Sequence, residues 1–260
     1  MKNKIDQLFT RKEKNILSIY TTAGFPQLND TPKIIRSLEA HGVDLIEVGI
    51  PYSDPLADGP VIQEANQKAI ENGMNLKLLF EQLNSIKNEI QTPIILMGYL
   101  NVIMQFGVDL FYQNCHEANV SGVIIPDLPL DEYERFHKPF ASSNGIKNIF
   151  LITPKTPIER IKMIDNMSDP FIYVVSSNSI TGNDLSGFDQ LEIFYDQLRS
   201  LHLKNKTLIG FGISKANKFE SACKLANGAI IGSAFIQSLK NKNTIADFIH
   251  SIRQTQSLSI

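Results

Sequence analysis

A chain of 260 residues, 43% hydrophobic and 20% charged, has the composition of a globular protein able to bury a sizeable core. A formal charge of -2 with a pI near 6.2 gives no general basic field, which argues against a nucleic-acid partner and requires any bound phosphate to be held locally. The charged N-terminus "MKNKIDQLFTRKEKN" has no apolar core of signal-peptide length, and no stretch approaches the roughly 20 apolar residues of a membrane span, so a cytoplasmic protein without membrane contact is expected.

In chain order, "KIDQLFTRKEK" reads as an amphipathic helix that precedes everything else. After it, short β-branched runs alternate with longer helical patterns, and no low-complexity linker marks a domain boundary. The predicted strands are 16–22, 44–50, 93–99, 122–127, 148–153, 171–176, 207–212 and 228–233. Helical periodicity fills the intervals, as at 31–42, 76–90, 108–119, 157–167 and 191–202, with apolar residues three or four apart. Eight βαβ units in a chain of this length fit a closed (β/α)8, or TIM, barrel over residues 1–260, with the extra N-terminal helix covering its floor. A doubly wound sheet would have fewer strands and a glycine-rich first turn. In a barrel, the residues to examine close each strand and open the next loop.

The segment "LIEVGIPYSDPLADGPVIQEAN" (45–66) carries a carboxylate, Glu47, inside an apolar run. Side chains alternate along a strand, so the bulky Ile46, Val48 and Ile50 face the outer helices and Glu47 faces the barrel interior. A structural Glu would be paired with a buried cation, yet no strand run offers an obvious one. Asp58 stands before Gly59 and Pro60; Pro60 suits the first position of a helix and Gly59 its cap, which leaves Asp58 on the loop over the barrel mouth. Asp54 is either a second loop carboxylate or a turn residue.

Glycine-containing turns close the sixth to eighth strands: "SITGN" (179–183), "GFGIS" (210–214) and "IIGSAF" (230–235). Barrel enzymes hold phosphate in this corner with backbone N–H groups and the start of a short helix, here near Gly232 and Ser233. A Schiff-base aldolase would need a strand-end lysine, for which Lys155 is the one near candidate, and a metal aldolase a histidine cluster, which the five scattered histidines do not form. Cys115 and Cys223 fall in helical segments without a CxxC pair and read as packed thiols.

Together with "TAGFP" (22–26), "IIPDLPLDE" (124–132), "SITG" (179–182), "GFGIS" and "IGSAF" (231–235), the 45–66 segment resembles the alpha subunits of tryptophan synthase, in family order over essentially the full length. The resemblance implies a retro-aldol cleavage of indole-3-glycerol phosphate to indole and glyceraldehyde 3-phosphate, with no metal or organic cofactor. It also implies an α2β2 complex in which indole passes to a partner beta subunit. Residue by residue, Glu47 corresponds to the family's acid/base and Asp58 to its loop carboxylate facing the indole nitrogen. Gly182, Gly212, Gly232 and Ser233 match the phosphate positions, and Tyr20, Met97, Ile124, Ile152, Tyr173 and Phe211 the apolar wall around indole. Thr181 matches the residue that meets the loop aspartate on closure. After the sixth strand many members carry an Arg followed two residues later by Gly, where this chain has Ser177 and Ser179; that departure bears on loop closure and on coupling to the partner.

Overall fold

The computed structural model describes residues 3–55, 58–176, 186–210 and 212–254. All strands are parallel and belong to one sheet: β1 (Ile16–Thr22), β2 (Leu45–Gly49), β3 (Ile94–Met97), β4 (Gly122–Ile124), β5 (Lys147–Ile149), β6 (Leu151–Ile152), β7 (Phe171–Val175), β8 (Lys206–Gly210) and β9 (Gly228–Ile231). The order β5-β4-β3-β2-β1-β9-β8-β7-β6 places β5 and β6 at the two ends. They are consecutive in the chain, so continuity through Phe150 closes the sheet into a barrel. All seven residues of β1 and all five of β2 are buried, as expected where helices cover the outer face and side chains fill the inner one.

Eight runs were expected, and the fifth, 148–153, is divided at Phe150. Ser168 causes the break: its hydroxyl accepts the Phe150 N–H at 3.3 Å and donates to the Phe171 carbonyl at 2.6 Å, while the Phe150 carbonyl accepts from the Tyr173 N–H at 2.9 Å. One side chain thus takes the place of a strand neighbour at the seam. The fourth strand ends at Ile124 instead of Asp127, because Pro126 has no N–H to offer a ladder and Leu128 turns back onto the Ile125 carbonyl.

Helices occupy Thr31–Ala40, Leu76–Ile86, Val108–Glu117, Ile158–Met167 and Ser186–Ser200, close to the predicted spans. Asn75 starts the second of these by accepting the Leu78 N–H at 3.0 Å on its side chain. The N-terminal helix, Lys4–Arg11, buries Ile5, Leu8 and Phe9. Phe9 meets Phe171, the first residue of β7, with ring centroids 5.7 Å apart, and Asn3 donates to the Ser121 carbonyl just before β4. These are the N-terminal ends of strands, so the helix covers the barrel floor as expected. Cys115 and Cys223 are buried free thiols on separate helices. Among the described residues, no helix is long and apolar enough to cross a membrane.

Candidate active site

A cavity of about 370 Å³ opens at the C-terminal ends of the strands, within the size range of small-molecule sites. Its walls bring together Tyr20, Glu47, Asp58, Met97, Tyr173, Gly212, Gly232 and Ser233, eight residues singled out from sequence and spread over more than 200 positions. Glu47 lies in β2 in register with Tyr20 of β1. It is 1% exposed, and neither carboxylate oxygen has a hydrogen-bond partner among the described residues. The paired-cation alternative is therefore not what these residues show. Burial, with the nearby charge of Asp58 as a smaller contribution, pushes the Glu47 carboxyl up to about 8.

Asp58 is held differently. The helix Pro60–Glu71 begins at Pro60 with Gly59 as its cap, which leaves Asp58 one residue outside it. Tyr99 Oη and Asn66 Nδ2 donate to its Oδ2 at 3.3 and 3.4 Å, and Gln63 Nε2 donates to its carbonyl at 2.9 Å. Burial raises this carboxyl above its ordinary value, while the two side-chain donors favour the ionised form. The environments of the two carboxylates thus differ in kind: one is fully buried with no hydrogen-bond partner among the described residues, the other half-buried and bonded. Asp54 takes a hydrogen bond from its neighbour Ser53 and does not line the cavity, which makes it a turn residue. Lys155 is exposed on the loop after β6 and does not line the cavity either.

The apolar wall is built by two tyrosines laid over glycines of the next strand. A methyl group on Gly49 would overlap the hydroxyl and ring of Tyr20, and one on Gly210 the hydroxyl and ring of Tyr173. Burial raises both phenols well above their usual range, so they present neutral rings to the cavity. Gly49→Ala is expected to lower stability by about 1–3 kcal/mol through overpacking and to displace the Tyr20 ring. The double variant with Tyr20→Phe should regain part of the loss, since the hydroxyl is the closest of the overlapping groups. Thermal denaturation of both variants checks this, and no recovery would show that the Tyr20 hydroxyl is not what confines Gly49.

Ile124 and Ile152, expected in this wall, are buried in β4 and β6 and are not among the side chains lining the cavity. On those sides longer neighbours reach it first: Met97 is the register partner of Ile124, and Tyr173 lies beside the partner of Ile152. Thr181, Gly182 and Phe211 lie outside the described residues, as do Ser177, Ser179, Leu56 and Ala57.

In the same cavity, Gly212 has φ +73°, a conformation that favours glycine, in the turn after β8. Gly232 caps the helix Ser233–Lys240, whose start has no side-chain cap, so its first N–H groups are open to an anion. Sequence reasoning missed Ile62, Tyr99, Asn66, Ser214 and Lys218. Tyr99 closes a predicted strand and could have been found on that ground; Asn66 and Lys218 sit on helices, where nothing in the pattern marks the face that meets the site.

Two carboxylates in unlike environments at the strand ends of a closed parallel barrel put the protein in the class of (β/α)8 enzymes. The family model described as "Tryptophan synthase alpha chain" matches residues 6–258. The tryptophan synthase alpha chain of Flavobacterium psychrophilum is 49% identical over 253 residues, 96% of this chain and 99% of that one. The crystal structure of the tryptophan synthase alpha chain from Legionella pneumophila superposes with a TM-score of 0.87 at 31% identity, covering 99% of both chains. A chain of the Pyrococcus furiosus tryptophan synthase α2β2 complex, a structure described in terms of mutual activation, matches with a TM-score of 0.82 at 33% identity over 94% of this chain and 99% of that one. The chain belongs to the tryptophan synthase alpha chain family.

Proposed function

We propose that Glu47 and Asp58 carry out, in this cavity, the reaction of the family: retro-aldol cleavage of indole-3-glycerol phosphate to indole and glyceraldehyde 3-phosphate, a step of tryptophan biosynthesis in the cytoplasm. The observation that carries the assignment is a fully buried Glu47 with both oxygens unengaged, beside a carboxylate that is bonded in place. A carboxyl near 8 is mostly protonated at neutral pH yet within reach of ionisation, which suits a group that must both give and take a proton.

The substrate's indole ring lies among Tyr20, Met97 and Tyr173, with its N–H toward Asp58. Glu47 delivers its proton to the ring carbon bearing the glycerol chain, which leaves positive charge on the ring nitrogen, and ionised Asp58 stabilises that charge. The carbon–carbon bond then breaks, and its electrons return to the ring as the hydroxyl on the departing carbon becomes an aldehyde. The Glu47 carboxylate takes the hydroxyl proton, which restores the starting state. One proton is given and one taken, so the balance closes without a further reactant. By family resemblance, Phe211 extends the apolar wall, with Ile124 and Ile152 buried behind Met97 and Tyr173, Gly182 extends the phosphate corner, and Thr181 makes the contact to Asp58. The partner is a beta subunit in an α2β2 complex.

The phosphate end is assigned to Gly212, Gly232 and Ser233. A Cβ at Gly232 would meet Tyr20 at 3.5 Å and Ile62 at 3.6 Å, ordinary contact distances among cavity-lining side chains. Gly232→Ala should therefore fold normally, whereas the branched side chain of Gly232→Val would crowd the anion's approach and raise KM by about tenfold, at about 1.4 kcal/mol of lost binding. An indole-release assay with indole-3-glycerol phosphate tests the whole reading: the wild-type chain, assayed with and without a beta subunit, must release indole. An unchanged KM in a natively folded Gly232→Val variant would remove the phosphate from this corner.

A further inference from the structure

We infer that Lys218 is the cation that receives the substrate's phosphate group; this rests on the reading of the Gly212, Gly232 and Ser233 corner as a phosphate site. Among the described residues lining the cavity it is the one cation, and it shares the lining with those three residues, while Glu47 and Asp58 supply the negative charge. Its side chain is half-buried and turns back from the first turn of the helix Ala216–Leu225, so that Nζ donates to the Gly212 carbonyl at 3.3 Å. An ammonium has three donors, and Gly212 engages one of them.

The position is unfavourable for the helix itself. A cation in a first turn opposes the helix dipole, and no acidic residue in that turn offsets it. Nor does Lys218 form an ion pair with any described carboxylate. Its place in the cavity wall is what accounts for it. A positive charge beside Gly212, in a cavity that also carries two carboxylates, would favour the orientation of a phosphorylated, neutral-headed substrate that keeps the dianion away from Glu47 and Asp58. Backbone N–H groups supply direction to the anion, and Lys218 supplies net charge, which a protein of overall charge -2 has to provide locally.

The test compares the full-length wild type with Lys218→Gln and Lys218→Arg in indole release from indole-3-glycerol phosphate and in equilibrium binding of two probes, glycerol 3-phosphate and indole. Lys218→Gln should raise KM and weaken glycerol 3-phosphate by about tenfold, with kcat and indole affinity held within about twofold, and its KM should depend less on added salt. Lys218→Arg should restore most of the loss. If Lys218→Gln binds glycerol 3-phosphate within about twofold of wild type, the inference is overturned while the phosphate corner stands. If indole and glycerol 3-phosphate weaken together, the lysine supports the Gly212 turn and the inference is likewise overturned. A wild type that fails to bind glycerol 3-phosphate would remove the phosphate corner itself and this inference with it.

Discussion

Glu47→Gln should reduce indole release by about 10²- to 10⁴-fold, the range typical of a lost general acid/base, while affinity for glycerol 3-phosphate and for indole stays close to wild type. The amide keeps the shape of the side chain but can neither give the proton to the ring carbon nor take one from the hydroxyl. The same carboxyl sets two pH profiles. In the free enzyme the reactive form is the protonated one, so kcat/KM should fall as pH rises past about 8, the value to which burial lifts Glu47. Stability should move with it. A carboxyl whose folded value lies above its unfolded 4.5 binds more protons in the folded state. Its contribution is therefore present below about 4.5 and lost as pH rises toward 8. At about 1.4 kcal/mol per pH unit this amounts to a few kcal/mol, and Glu47→Gln should abolish that slope and become the more stable protein in mild alkali. Urea denaturation of both proteins between pH 5 and 9 measures it; parallel stability curves, or a variant with near wild-type kcat, would sink the assignment.

Saturating the chain with its cognate beta subunit should raise kcat/KM for indole release by roughly 5- to 150-fold, a coupling of about 1 to 3 kcal/mol. Asp58 sits on a loop punctuated by Pro51, Pro55, Gly59 and Pro60, and is half-buried in the cavity wall. Its carboxylate must meet the indole nitrogen squarely to stabilise a developing charge, and a partner that binds the closed arrangement better than the open one shifts the population toward it without adding a catalytic group. Ser177 and Ser179 stand where the family resemblance expects Arg and Gly, so activation in the lower part of the range is expected. Steady-state assays of the isolated chain and of the complex decide the matter. Equal kcat/KM in the two would refute coupling and favour a stand-alone lyase that releases its indole.

The eight-fold alternation was readable because each barrel strand is buried on both faces and so appears as an uninterrupted apolar run. Glu47 was readable for the same reason, as the charge that such a run should not contain. The break at Phe150 was not, since it depends on the hydroxyl of Ser168, which is eighteen residues away and unremarkable in its own helix end. Ile124 and Ile152 sit on strands as the wall residues should, but which side chain reaches a cavity is decided by relative length across the register, and Met97 and Tyr173 are longer. Lys218 and Asn66 lie on helices, where one face meets the barrel mouth and the others meet solvent. The rotation that selects the face is set by packing against strands far away in sequence.

The helix over the barrel floor bears on how the protein is made. Several of its partners are synthesised long after it: Asn3 waits for Ser121 and Gly145, Asp6 for Lys147, and Phe9 for Phe171. At ordinary synthesis rates the interval from residue 9 to residue 171 is roughly 10 to 30 seconds, during which Ile5, Leu8 and Phe9 have no housing of their own. The nascent chain therefore carries an unsheltered apolar helix face until more than half the barrel has been translated, and only then does the floor that covers it become available.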